Sequence, residues 1–120
     1  IPSMMKTAIN LRGDTMENLI VKLKALCDEN RLIMIAILAG RELCACDLVE
    51  NLDLTQPTIS HHLKVLVESG LISCQKRGKW CFYRVNDAQL KSFLEELSRL
   101  AGTRKEDIKL CKSDCNGQRR

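Results

Sequence analysis

A mainly α-helical domain with one small β-hairpin is predicted by three features of this sequence. Apolar residues recur at helical spacing in five segments, and the spacing turns strand-like once, between Leu71 and Val85. Capping residues or glycines punctuate the changes. The length of 120 residues suits one domain. With aromatics at 3%, aliphatic side chains must fill the core. No apolar run approaches the roughly 20 residues that span a bilayer, and the N-terminus lacks a signal-peptide pattern. A cytoplasmic chain without a membrane partner is expected.

The first helix carries Met16, Leu19, Ile20, Leu23, Leu26 and Cys27 on one stripe. Asp28 is a cap for the second, whose Leu32–Leu38 stretch is apolar nearly all round and therefore reads as the buried centre. Gly40 ends it. A third helix is expected from about Cys44 to Leu52, with Leu48, Val49 and Leu52 inward, and Asp53 interrupts the pattern. Thr55 is the N-cap of the fourth helix. Pro57 falls in its first turn, where a missing N–H costs no bond. Ile59, Leu63, Leu66 and Val67 form its buried stripe, and Gly70 closes it.

Leu71–Lys76 and Lys79–Val85 then read as two strands around Gly78. Asn86 or Asp87 caps a fifth helix bearing Leu90, Phe93, Leu94, Leu97, Leu100 and Ala101, a stripe that approaches a coiled-coil seam. It serves either packing within the chain or, with the first helix, a dimer interface. Thr103–Glu106 is a capping-box pattern that starts a short sixth helix. The expected organisation is a disordered arm over 1–13 beginning in a cloning remnant, a folded domain over 14–102, and a short helix with a cysteine-containing tail over 103–120.

Two short helices joined by a tight turn and followed by a basic hairpin describe a winged helix-turn-helix, whose second helix enters the major groove of DNA. The charge agrees. The net charge is only +4, but between Thr55 and Arg84 the cations Lys64, Lys76, Arg77, Lys79 and Arg84 face a single anion, Glu68. Off the buried stripe of the fourth helix lie Gln56, Thr58, Ser60, His61, His62 and Lys64, side chains of the kinds that read base edges. The hairpin tip, Lys76, Arg77 and Lys79, would meet phosphate or the adjacent minor groove. No nucleophile, base and orienting group occur together, so an enzyme is not expected.

Seven cysteines are an excess. In a reducing compartment thiols read as metal ligands or redox groups rather than disulfides. Cys44 and Cys46 are the sharpest pair. Cys44 reads as the N-cap of the third helix, where Ser, Thr, Asp or Asn would be the stabilising choice. Side chains at i and i+2 on a regular helix do not share a face, so gripping one ion would unwind or reorient the first turn. Cys111 and Cys115, four apart, would share a face in a helical tail. Cys27 reads as core. Cys74 and Cys81 read as packing residues of the hairpin, or as a redox pair.

Three segments resemble the ArsR/SmtB family of metal-responsive repressors, most of all its arsenic-responsive members. Glu42–Leu48 is similar to the family's metal-binding box, Gln56–Leu63 to its recognition helix and Arg77–Tyr83 to its wing. The resemblance covers about residues 25–85. It implies a homodimer joined through the first and fifth helices, bound to double-stranded operator DNA until an inducer is taken up. It also implies that Cys44 and Cys46 are inducer ligands. The similar members carry a third cysteine where this chain has Val49, so either the missing sulfur falls to Cys111, Cys115 or another cysteine, or the site is only two-coordinate. Three thiolates suit As(III) or Sb(III). Four suit Cd(II), Pb(II) or Zn(II). A thiol redox or persulfide sensor is the further alternative. The family's histidine-rich zinc site on the fifth helix has no counterpart, as no histidine follows His62.

Overall fold

In a computed structural model of the protein, residues 13–102 are described. The expected sixth helix, Cys111 and Cys115 lie outside them. The elements run α1 (Gly13–Leu26), α2 (Glu29–Leu38), β1 (Leu43–Cys44), α3 (Ala45–Asn51), α4 (Gln56–Ser69), β2 (Ile72–Arg77), β3 (Trp80–Val85) and α5 (Asp87–Ala101). This is the winged helix-turn-helix arrangement that the sequence predicts.

The caps are those that local chemistry demands. Asp28 accepts the Arg31 N–H at the start of α2, Thr55 that of Thr58 at α4, and Asn86 that of Gln89 at α5. Gly70 ends α4 at φ +87°, a conformation that side-chain-bearing residues resist. Met34, Leu38, Leu48, Ile59, Leu63, Leu66, Leu71 and Ile72 fill the centre of the core. Leu38 and Met34 come from α2, Leu48 from α3 and the next three from α4, so the helix-turn-helix pair is clamped by the helix before it. Burying a Leu or Ile side chain stabilises by about 1.5–3 kcal/mol, which fixes α4 in place.

Two expectations need correction. Helix α2 is not buried all round: Met34 and Leu38 face inward, but Leu32 is 52% exposed and Ile33 38%. One chain has only enough core to cover one side of it. Cys27, expected in the core, is exposed, because the α1 stripe runs out at the turn into α2.

The hairpin is part of a three-stranded antiparallel sheet of order β1-β3-β2. The third strand was not foreseen. It is two residues long, and pairs Leu43 with Tyr83 and Cys44 with Phe82. Between β2 and β3 the register runs from Ile72↔Val85 to Arg77↔Trp80. That leaves Gly78 and Lys79 as the turn, with Gly78 at φ +64° as short hairpin turns require. Residues 72, 74, 76, 81, 83 and 85 therefore share one face. Its inner end, Ile72 and Val85, is buried against the core, and its outer end is open.

Candidate DNA interface and thiol site

Helix α4 presents Gln56, Ser60, His61 and Lys64 to solvent, and Thr58 half-buried beside its cap. The Thr55 and Thr58 hydroxyls are 3.0 Å apart. Pro57 sits in the first turn as expected. These groups form one polar face along the N-terminal half of the helix, where groove-reading side chains are carried.

His62 does not belong to that face. It is 7% exposed, and its Nδ1 lies 3.0 Å from the Arg31 guanidinium. Arginine can only donate, so Nδ1 accepts and the ring proton is on Nε2. Arg31 Nε also donates to the Ala25 carbonyl at 2.6 Å. The expected base contact at His62 is therefore replaced by an anchor between α4 and α2. The signal was in the sequence: position 62 is three residues from Ile59 and four from Leu66, on the buried stripe.

On the wing, Lys76 and Lys79 are exposed. Arg77 is already occupied. Its two terminal nitrogens meet the Glu42 carboxylate at 2.8 and 3.0 Å, one also reaches Gln75 at 2.9 Å, and its guanidinium carbon lies 5.0 Å from the Phe82 ring centre. A phosphate contact at Arg77 would compete with this clamp.

Glu42 introduces the thiol site. Cys44 ends β1 and is also the N-cap of α3, with extended backbone at φ −92° and ψ 169°. Cys44 is thus the N-cap of α3, one residue outside the helix that carries Cys46. Asp47 Oδ2 accepts the Cys44 backbone N–H at 3.1 Å and its thiol at 3.3 Å. Desolvation, then the neighbouring Cys44 thiol, then the Asp47 charge push the Cys46 thiol above its ordinary range. The helix N-terminus, which favours thiolate, is outweighed there.

Among the described residues no group of three or more His, Cys, Asp or Glu side chains is placed to hold a metal ion. No helix among them is long and apolar enough to cross a membrane.

Residues 28–73 match the family model described as bacterial regulatory protein, arsR family. The arsenical resistance operon repressor of Staphylococcus aureus is 42% identical over 76 residues, 63% of this chain and 73% of that protein. Among solved structures, an ArsR-like transcriptional regulator from Rhodococcus sp. RHA1 superposes with a TM-score of 0.69 at 28% identity, covering 74% of this chain and 84% of its own. The homodimeric winged helix-turn-helix DNA-binding domain Mb0332 from Mycobacterium bovis shares the fold, with a TM-score of 0.62 at 20% identity over 74% of this chain and 82% of that one.

Proposed function

The chain belongs to the arsR family of bacterial regulatory proteins, and from that premise we propose that it is an arsenic-responsive transcriptional repressor. It binds operator DNA as a homodimer and leaves it when As(III) or Sb(III) is taken by thiolates. Gln56, Thr58, Ser60 and His61 are the base-reading candidates. Lys64, Lys76 and Lys79 are the phosphate contacts, joined by Arg77 when it gives up Glu42. Cys44 and Cys46 supply two sulfurs, and Cys111 or Cys115 the third. The second copy packs on α1 and α5, where Ile20, Val21, Leu23 and Leu94 are 42–55% exposed. Apolar exposure of that kind marks an interaction surface.

The observation that carries this reading is the double position of Cys44, in β1 and at the head of α3. Ion binding needs its thiol proton to leave. The S–H donor to Asp47 then disappears, and a thiolate faces a carboxylate. The same Asp47 oxygen holds the Cys44 N–H, so the cap loosens, and with it the pairing of Cys44 with Phe82 on the wing strand. Chemistry at the sulfurs thus reaches both α3, which packs against α4, and the wing.

Fluorescence anisotropy of a labelled operator, titrated with arsenite, antimonite, cadmium, lead and zinc in parallel, tests this. Arsenite and antimonite should release wild-type protein but not a Cys111→Ser/Cys115→Ser variant. Release by cadmium or lead alone would replace the three-thiolate reading with a four-thiolate one. Release only by oxidants or polysulfide would replace it with a redox sensor.

A further inference from the structure

Cys74 and Cys81 stand outside the site above, and they are not core fillers: Cys74 is exposed and Cys81 half-buried. Free cysteines that serve packing are among the most buried residues. The register places Cys74 opposite Tyr83 and Cys81 opposite Lys76. The two cysteines are therefore diagonal neighbours on one face of the hairpin. That face continues inward to Ile72 and Val85, so the pair sits where the wing leaves the core. Beside it a cleft of about 340 Å³ opens, lined by Ser60, Lys64, Val67 and Glu68 of α4 and by Cys74 and Tyr83.

We propose that Cys74 and Cys81 form a second thiol site, on the wing, for a soft thiophile that makes two sulfur bonds and carries one further substituent. The separation favours an inserted atom over a disulfide. Diagonal pairs lie about 7–8 Å apart between Cα atoms. A disulfide needs about 4.4–6.8 Å. A bridging atom adds a second bond to sulfur, about 2.3 Å for a zinc-like ion, and so spans more. The Tyr83 hydroxyl and the Lys76 charge nearby both favour the Cys74 thiolate. Both groups stabilise the ligating form, against desolvation and the Cys81 thiol that push Cys74 upward. The cleft against α4 has room for the substituent.

A trivalent monoaryl arsenical has this valence. Its arsenic–carbon bond stays. Two As–OH bonds break and two As–S bonds form, each thiol proton leaves on hydroxide as water, and no oxidation state changes. The probe is phenylarsine oxide, added to the full chain carrying Cys44→Ser, Cys46→Ser, Cys111→Ser and Cys115→Ser. Intact mass should show one adduct per chain, stable to a monothiol and removed by a dithiol. Trp80, the single tryptophan, should change its emission. Adding Cys74→Ser or Cys81→Ser should weaken binding at least tenfold, with thermal melts to show that each variant is folded. In the wild-type chain the arsenical should protect Cys74 and Cys81 together from alkylation, a readout that needs no substitution. Absence of an adduct in the four-serine protein, equal binding after Cys74→Ser, or alkylation of both cysteines in the presence of the arsenical would overturn the proposal. None of these readouts involves DNA, so the outcome is independent of the operator and inducer reading.

Discussion

Two arginines hold the two DNA-facing elements, and they do so differently. Arg31 is half-buried and ties α4 to α1 through a ring nitrogen, His62 Nδ1, and the Ala25 carbonyl. Arg77 is 49% exposed on the wing and grips a carboxylate, Glu42, two residues before Cys44. The reading helix is thus anchored to the core, away from the sulfurs. The wing is anchored to the segment that carries them. On the proposed function, affinity for the operator and its control by an inducer would be tied to different residues of one small domain.

That contrast yields its largest effect at the cysteines. Cys44→Ser or Cys46→Ser should leave operator binding intact and abolish release by arsenite. Either variant releasing DNA at wild-type inducer levels would remove the sulfurs from the coupling. On the other side, Gln56→Ala should weaken operator binding by about 1–3 kcal/mol, as expected for a base-reading residue. Its loss should be smaller on random DNA, while Lys79→Ala should weaken both and reduce the salt slope by about one.

Arg31→Met separates the two anchors more directly. It leaves His62 and the Ala25 carbonyl without their donor, which should destabilise the fold by about 1–3 kcal/mol in a denaturant titration. Inducer release should persist. Glu42→Gln should do the reverse. An exposed ion pair contributes about 0–1 kcal/mol to stability, so the melt should barely move while the inducer concentration for half-release rises. If Glu42→Gln leaves the inducer response unchanged, the Arg77 clamp is only a surface pair.

The smallest effect is a pH dependence at Asp28. Hydrogen bonding to the Arg31 N–H, then the Arg31 charge, hold its carboxyl below the ordinary 3.8. Its contribution is complete above the ordinary value and is lost as pH falls through the lowered one. The stability difference between wild type and Asp28→Ala should therefore shrink only in that acid range. A difference that shrinks already near neutrality would assign the effect to another group.

Most of the helical frame was legible because its signals are local. Asp28, Thr55, Gly70 and Asn86 act within three residues of themselves, and the Ile59–Leu63–Leu66 stripe needs only the helical period. The β1 strand was not legible. Two residues show no alternation, and their partners lie about forty positions away. Cys44 was legible as the cap of α3, but its pairing with Phe82 was not. Arg77 was read as a free cation because Glu42 is far in sequence. His62 could have been placed inward from its spacing.

The brevity of β1 also sets an energy scale. Each backbone hydrogen bond contributes about 0.5–1.5 kcal/mol net. A ladder of two residue pairs is then comparable to the coupling of about 1–3 kcal/mol that links two sites in regulated proteins. On the proposed function, a longer strand would latch the wing too firmly for one ligand to free it, and without the strand the sulfurs would not reach the wing. Deepening or removing this short seam would then retune how much inducer is needed.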